Sequence, residues 1–353
     1  MNWVEVPFQV QTPQHGLRVD AFLAQRLHRY SRRQVQRLIE DGKVFLRGKT
    51  AKSSTRVAEG QPVLIRYPRR EEPPSKYESL PVIYEDNDLL AVNKPGDMLS
   101  HPTDKIVLNA ATSILRRQFP GQKLHLVHRL DRETSGVLLL TKNPGAARGL
   151  TAQFYARRIQ KEYLAIVAGK VPWESKIVDA PIGREGGKIK VRQAAGSGQA
   201  AVTEFQRLSA NHEFSLIRAL PKTGRLHQIR VHLASLGHPL LGDKLYTGSG
   251  ELYLKAVRKE ITGEDLKTLG AERQMLHAFK LSLKHPGTKN PLTLTAPLPA
   301  DFLSLGVTAT GLEGGSPALL PACPPPRCPA NNSRRKGRAE YARPDRPGAD
   351  KSY

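Results

Sequence analysis

A stretch of proline and charged residues, PRREEPPSKYESLP at residues 68–81, does most to constrain the fold of this chain. It shows no apolar periodicity, so it predicts a linker rather than a helix or a strand. We therefore expect a small domain at residues 16–67 and a larger one at residues 82–303. Residues 304–353 are rich in proline, glycine and arginine and predict a disordered basic tail.

The small domain is predicted to contain two helices and two short strands. Val19, Phe22 and Leu23 have helical spacing, and the run RRQVQRLIEDG follows Ser31. Ser31 with Gln34 three residues later forms the pattern of a capping box, which marks a helix start. VFLRGK and PVLIRY are the strand candidates.

One side of this domain is strongly basic. Arg33 and Arg37 lie four residues apart, so they share a helix face away from the apolar stripe. Such a cluster suits a phosphate backbone, although a solvated helix face would show the same pattern. The residues predicted to bind RNA here are Arg32, Arg33, Arg37 and Lys43.

The larger domain alternates helical and strand patterns. Apolar strand runs occur in VIYEDNDLLAVNKP, GVLLLTK, KEYLAIVAG, AVTEFQRLSA, FSLIRALP and MLHAFKLSL. Helical spacing occurs in AARGLTAQFYARR and across residues 224–236. We predict an α+β fold with a mixed, mainly antiparallel sheet and flanking helices.

The charge balance indicates the class of partner. Lysine and arginine outnumber aspartate and glutamate 55 to 32, for a net charge of +23. A surplus of this size favours nucleic acid as the partner. No apolar run is long enough to span a membrane, and the N-terminus has no signal-peptide pattern, so a cytoplasmic protein is expected. The two cysteines, Cys323 and Cys328, both lie in the tail and exclude a disulfide framework for the body.

One carboxylate stands out within the basic sequence HRLDRETSG. Asp131 lies between Arg129 and Arg132, in a loop between two predicted strands. Neighbouring guanidinium groups would keep it ionised, as a nucleophile or a base requires. The alternative is that Asp131 only caps a turn or pairs with one of those arginines.

A second basic run, TGRLHQIRVH, could supply a charge partner for this acid. Arg225 follows Gly224 at a turn and could reach across to Asp131. Other chemistries are disfavoured, because the chain lacks the Walker spacing, the HExxH zinc motif and the G-x-S-x-G elbow. The body has no cysteine for thiol catalysis, and no second acid is placed for glycosidase pairing.

At these residues the chain resembles the RluA-type pseudouridine synthases. HRLDRETSGVLLLTK is similar to the central motif of that family. The other matching stretches are LLAVNKPGDMLSHP, KEYLAIVAG, TGRLHQIRVHLASLGHPLLGDKLY and LHAFKLSLKHP. Residues 17–67 resemble the small RNA-binding domain named after ribosomal protein S4, a known companion of this family.

The resemblance implies isomerisation of uridine to pseudouridine without cofactor or metal. It implies that Asp131 is the catalytic carboxylate, that Tyr163 stacks on the uracil and that Arg225 holds Asp131 ionised. Arg129 is implied to occupy the space that the flipped nucleotide leaves, and Lys94 is assigned to RNA binding, with a plain turn as its alternative. Whether Asp131 attacks C1′ of the ribose, attacks C6 of the base or acts as a base stays open.

The favoured partner is structured RNA, namely large-subunit (23S) ribosomal RNA, and a monomer is expected. Two other hypotheses are a non-catalytic module for ribosome assembly and a DNA-binding regulator that uses the helix at residues 32–40. The joint presence of Asp131, Tyr163 and Arg225 argues against the first. The sequence does not identify the target uridine or a role for the insert at residues 246–274.

Overall fold

The computed structural model of the protein describes residues 3–27, 30–68, 72–103 and 106–307. Most of the tail predicted at residues 304–353 lies outside these ranges. Within them, no helix is both long and apolar enough to cross a bilayer.

The N-terminal domain pairs a four-stranded sheet with two helices in the described residues. Its elements are β1 (Trp3–Gln9), α1 (Val19–Arg26), α2 (Arg32–Glu40), β2 (Val44–Leu46), β3 (Lys49–Thr50) and β4 (Pro62–Pro68). The strand order is β1-β4-β2-β3, so β1, which precedes the predicted start at residue 16, extends this sheet. The predicted capping box is confirmed, since the Ser31 side chain accepts from the Gln34 backbone and the Gln34 side chain accepts from the Ser31 backbone.

The predicted linker packs against the body from residue 72 onward. The Glu72 carboxylate accepts hydrogen bonds from the backbone N–H groups of Val107, Leu108 and Asn109 at 2.6–2.7 Å. Leu80 is fully buried beside the first strands of the larger domain. The proline and charged residues predicted a linker without regular structure. The structure shows that the Glu72 carboxylate, which satisfies three backbone donors, and the buried Leu80 attach this segment to the larger domain.

The larger domain is built on a ten-stranded mixed sheet, counted over the described residues. Its strands and those beside it are β5 (Val82–Glu85), β6 (Leu89–Lys94), β7 (His125–Leu126), β8 (Ser135–Thr141), β9 (Gln160–Ala168), β10 (Ser175–Asp179), β11 (Ile182–Arg184), β12 (Gln193–Ala195), β13 (Val202–Ala210), β14 (Phe214–Pro221), β15 (Leu276–Lys284) and β16 (Pro291–Thr295). Its helices are α3 (Ala111–Gln118), α4 (Pro144–Tyr155), α5 (Gln228–Ser235), α6 (Glu251–Arg258), α7 (Gly263–Leu269) and α8 (Ala300–Ser304).

The main order of the sheet is β10-β13-β14-β9-β15-β8-β6-β5, with β16 beside β15 and β7 beside β8. Among the described strands only β15 and β8 pair in parallel. The predicted α+β fold with a mainly antiparallel sheet is therefore confirmed. β11 and β12 form a separate pair.

The sheet is buried on both faces. In β6, Leu90 and Val92 pack with α3 on one face, whereas Leu89 and Ala91 pack with α4 on the other. This alternation is what a strand covered by helices on both sides requires. Phe302 and Val307 are buried as well, so the packed structure continues past the end predicted at residue 303.

The helix predicted at residues 224–236 begins later, at Gln228. The Gln228 side chain accepts hydrogen bonds from the Thr223 hydroxyl and the Arg225 backbone N–H, and His227 adopts a left-handed conformation with φ 58°. These contacts hold residues 223–227 in a turn. Apolar spacing alone extended the prediction by one turn, because Leu226 fitted the period although its side chain is exposed.

Candidate active site

Asp131 lies in the loop between β7 and β8. Its side chain is 24% exposed, so it is accessible but largely desolvated. The Thr134 backbone N–H donates to the Asp131 carbonyl oxygen and closes a turn at 3.2 Å. The two strands that flank the loop anchor it in the sheet core.

Side chains from other parts of the domain hold the rest of this loop. Ser100 Oγ donates to the Leu130 carbonyl at 2.8 Å and accepts from its N–H at 3.0 Å. Arg273 Nη1 donates to the Glu133 carbonyl at 2.8 Å, and the Gln274 amide donates to Thr134 Oγ1 at 2.7 Å. A catalytic side chain needs support of this kind, because its own rotamer must be held within narrow limits.

The charge partner of Asp131 is Arg230, on α5. Arg230 Nη1 donates to Asp131 Oδ2 at 2.9 Å. The prediction for Arg225 was wrong in this respect, since its Nε donates to the Ala200 carbonyl at 3.1 Å. The physical reason is the late start of α5, which leaves Arg225 in the preceding turn and carries Arg230 into the site.

Asp243 orients this arginine from behind. Its two carboxylate oxygens accept from Arg230 Nε at 2.7 Å and from Arg230 Nη2 at 2.9 Å. Asp243 is itself buried and accepts the backbone N–H groups of Leu245 and Tyr246. This fork-shaped pairing fixes the plane of the guanidinium and leaves Nη1 for Asp131.

The electrostatics favour an ionised Asp131. Burial by itself raises the pKa of this carboxyl, but the Arg230 guanidinium, together with His227 and a hydrogen bond from the Gln274 side chain, holds the pKa below its ordinary value. Burial also raises the pKa of Tyr163, and the Asp131 charge adds to that rise, so the phenol stays protonated.

Tyr163 lies at the centre of the sheet, on β9 between β14 and β15. Its half-buried ring packs with Leu130 and Ala278, next to the loop that carries Asp131. The site thus combines an ionised carboxylate with an aromatic ring, as the sequence predicted, although the positioning arginine is a different one.

His227 lies beside Asp131, and Tyr246 lies beside His227. Nε2 of His227 lies 3.9 Å from Asp131 Oδ2, and its Nδ1 lies 2.9 Å from the Tyr246 hydroxyl. Burial and the nearby Arg230 lower the pKa of His227 to about 4, so its ring is neutral near pH 7. The Arg230 guanidinium also lies over the Tyr246 ring, with 5.0 Å between its Cζ and the ring centroid.

Lys94 does not reach the surface, contrary to its predicted role in RNA binding. It is fully buried, and its Nζ donates to the carbonyls of Pro95, Met98 and Arg132 at 2.7–3.1 Å. Burial, reinforced by Arg273, lowers its pKa to about 7. Lys94 therefore connects the loop after β6 to the loop of Asp131. The Lys-Pro pair in the sequence does not indicate this buried position.

The other predicted RNA-binding residues differ in their surroundings. Arg129 is exposed on the Asp131 loop, and Arg33 and Arg37 are exposed on α2 with no acidic partner in the described residues. Arg32 instead donates to the buried Asp20, and Lys43 pairs with Asp41 at 2.7 Å.

Sequence reasoning assigned no role to Arg230 and His227, which lie in the basic run TGRLHQIRVH, and did not consider Asp243 and Tyr246. One signal for them was present, because QIRVHL places an arginine among apolar residues in a helix whose residues 228–233 are all buried. A buried arginine requires a carboxylate partner, and LLGDKLY supplies one. The described residues contain no cluster of three or more metal-binding side chains.

Comparison with known proteins agrees with this geometry. Residues 88–235 match the family model described as RNA pseudouridylate synthase, and residues 17–63 match the S4 domain. An uncharacterized RNA pseudouridine synthase of Chlorobaculum parvum is 36% identical over 83% of this chain and 93% of the relative. The chain belongs to the RNA pseudouridine synthases.

Two further similar proteins are also named as pseudouridine or pseudouridylate synthases. Ribosomal large subunit pseudouridine synthase D of Vibrio cholerae is 33% identical over 86% of the chain and 94% of the relative. The solved structure of human RNA Pseudouridylate Synthase Domain Containing 1 aligns with a TM-score of 0.51 and 30% identity, over 65% of this chain and 87% of that one. The synthase is thus an isomerase whose partner is RNA.

Proposed function

We propose that this synthase converts one or more uridines of large-subunit (23S) ribosomal RNA to pseudouridine, with Asp131 as its catalytic carboxylate. The observation that carries the proposal is a partly exposed Asp131 kept ionised by Arg230 beside the ring of Tyr163. The ribosomal substrate is supported by the name of the Vibrio cholerae relative and by the S4 domain.

The reaction conserves every atom of the nucleotide. The bond from N1 to C1′ breaks, the uracil turns, and a bond from C5 to C1′ forms. The proton on C5 is lost and N1 gains one, so no oxidant or reductant is consumed. Asp131 is suited to three roles: attack on C1′, attack on C6, or removal of a proton.

The target nucleotide must leave its helix to reach Asp131. Extruding it costs a few kcal/mol, and stacking on the Tyr163 ring returns about 1–3 kcal/mol. In this proposal Arg129, which is exposed on the same loop, occupies the gap in the RNA.

His227 supplies a hydrogen-bond donor beside the carboxylate in this proposal. The Tyr246 hydroxyl accepts from the Gln193 backbone N–H at 3.1 Å, and in this proposal it donates its own hydrogen to His227 Nδ1 at 2.9 Å. The neutral ring then carries its hydrogen on Nε2, which faces the Asp131 side of the cleft. An acceptor oxygen of the flipped uridine is its natural partner.

The remaining expectations belong to the same proposal. We propose a monomer that works in the cytoplasm and needs no cofactor. A single chain supplies the aspartate, the arginine and the aromatic ring of the site. Sedimentation of the purified protein would test the monomer.

Pseudouridine mapping tests the function directly. Unmodified transcripts of large-subunit ribosomal RNA are incubated with the native protein or with Asp131→Ala, and carbodiimide adducts are read as stops of reverse transcription. We expect new stops at one or a few uridines with the native protein alone. Stops produced equally by both proteins would contradict the role of Asp131.

Two further results would revise the substrate. Stops that occur only on transfer RNA would move the target away from the ribosome. Tight RNA binding with no modification of either RNA would favour a binding module instead. Thermal unfolding of Asp131→Ala serves as the folding control.

A further inference from the structure

The C-terminal end of α4 carries a highly exposed aromatic side chain. Tyr155 is 91% exposed, whereas the preceding residue, Phe154, packs inward against the sheet. Soluble proteins bury most aromatic rings, so a tyrosine left almost wholly in solvent is a candidate contact residue. No residue of the proposed catalytic site lies on this helix.

Exposed arginines lie on the same helix and in the turn that follows it. A shallow groove on the outer face of α4 is lined by Ala147, Arg148, Thr151, Ala152 and Tyr155. Arg148 is exposed, and the turn after the helix adds the exposed Arg157 and Arg158. Among the described residues none of these three arginines has an acidic partner. An aromatic ring among unpaired cations matches a nucleic-acid strand in both stacking and charge.

Arg157 holds its position at a conformational cost. Its φ is 55°, in the left-handed region, at the position after a helix end where glycine is preferred. The turn is closed by hydrogen bonds from the Arg157 N–H to the Phe154 carbonyl and from the Arg158 N–H to the Gln153 carbonyl. A strained residue that carries a charge is a reason to look for a role outside folding.

This surface adjoins the catalytic loop. The Phe154 ring stacks on His128 with a centroid separation of 5.4 Å, and His128 precedes Asp131 by three residues. Lys161 on β9 lies within electrostatic range of Arg157, Arg225 and His128, and two residues further along β9 is Tyr163. Basic side chains therefore run from the end of α4 to the site.

We propose that the end of α4 is a second RNA contact, in which Tyr155 stacks on an unpaired base that flanks the target nucleotide. Arg148 and Arg157 bind the phosphates on either side of that base. The proposal rests on RNA as the substrate, but it depends neither on the role of Asp131 nor on which RNA is modified.

Binding of a fluorescein-labelled single-stranded RNA, followed by anisotropy over a range of salt, tests the contact. We expect Tyr155→Ala to weaken binding about fivefold to a hundredfold, the value of one lost stacking contact. Tyr155→Phe keeps the ring and should bind as the native protein does. Val257→Ala is the matched control, since it shortens another exposed apolar side chain next to an arginine, on α6.

Arg157→Gly separates binding from folding. Glycine relieves the left-handed strain, so we expect a melting temperature equal to or above the native value. The loss of one phosphate contact should reduce the log–log salt slope by about 0.7.

The outcomes exclude one another. Native affinity in both Tyr155→Ala and Arg157→Gly would overturn the proposal. Equal weakening in Val257→Ala would also overturn it. Failure of the native protein to bind any RNA would instead count against the proposed function, so the two failures are distinguishable.

Discussion

The carboxylate of Asp131 depends on one arginine for its charge, and that arginine depends on a second carboxylate. Arg230 donates forward to Asp131 and backward to Asp243. Removing the arginine would leave two acids in a poorly solvated cleft. The pH dependence of the reaction should report this directly.

Arg230→Gln should move the acid limb of the kcat/KM profile to higher pH. The depressed pKa of Asp131 keeps the native carboxylate ionised until the pH falls well into the acid range. Without the guanidinium that pKa rises by roughly 1–3 pH units, so activity is lost at higher pH. Arg225→Gln is the matched control and should leave the acid limb in place.

The variants Arg230→Gln and Arg225→Gln also test which of the two arginines is the charge partner of Asp131. An acid limb that moved in Arg225→Gln but not in Arg230→Gln would restore the partner predicted from sequence. Arg230→Lys guards against misfolding, because it keeps the charge but cannot contact both carboxylates.

Lys94→Met should destabilise the protein by about 1–3 kcal/mol, since the carbonyls of Pro95, Met98 and Arg132 lose the donor that Lys94 supplies. Because the pKa of Lys94 is lowered to about 7, this residue also affects how the stability of the protein changes with pH in alkaline solution. Between that value and the unfolded pKa of about 10.4 the unfolded chain binds the extra proton, so the native lysine makes stability rise with pH. Urea unfolding at several pH values would show a smaller rise in Lys94→Met.

The sequence pointed to the two proposed site residues that have a distinctive chemical character, but it did not indicate the contacts that depend on their positions in the fold. Asp131 and Tyr163 stood out as an acid among arginines and as the aromatic of a recognisable strand. Choosing between Arg225 and Arg230 required the start of α5, which depends on the hydrogen bonds of the Gln228 side chain. Contacts between residues far apart in the chain leave no local pattern.

At the scale of elements, helix α2 carries one set of residues for stability and another set for the proposed RNA binding. Its start is fixed by the capping box of Ser31 and Gln34, and its exposed face presents Arg33 and Arg37. Both features were readable because capping and helical spacing are local. β1, which the prediction left out, gains its place only by pairing with the distant β4.

Ser31→Ala should lower the free energy of unfolding by about 1 kcal/mol, because the Gln34 backbone N–H loses its side-chain acceptor. Denaturant unfolding followed by circular dichroism measures the change. Ser53→Ala, in the loop between β3 and β4, is a control outside any helix and should alter stability less. Equal losses in the two variants would contradict a capping role.

Arg33→Ala with Arg37→Ala should weaken RNA binding and reduce the log–log salt slope by up to about 0.9 for each lost phosphate contact. Arg32→Ala should change the slope less, since Arg32 already donates to the buried Asp20. Filter binding at several salt concentrations distinguishes these variants. A larger effect of Arg32→Ala would place the phosphate contact on the other side of α2.

At the scale of the whole molecule, the two domains have separate apolar cores. One core joins α1, α2 and the first sheet, and others lie on the two faces of the larger sheet. The composition shift at residues 68–81 predicted this division, although not the packing of residues 72–81 on the body. A fragment of residues 72–307 should therefore fold and modify short RNAs, while losing affinity for long ones.

The position of β15 in the sheet has a consequence for biosynthesis. β15 lies between β8 and β9, so the loop of Asp131 and the strand of Tyr163 are joined through a segment translated more than a hundred residues later. Such non-local pairing is slow and cannot begin until that segment has left the ribosome. A nascent synthase is therefore expected to stay inactive on the RNA around it until β15 has been translated.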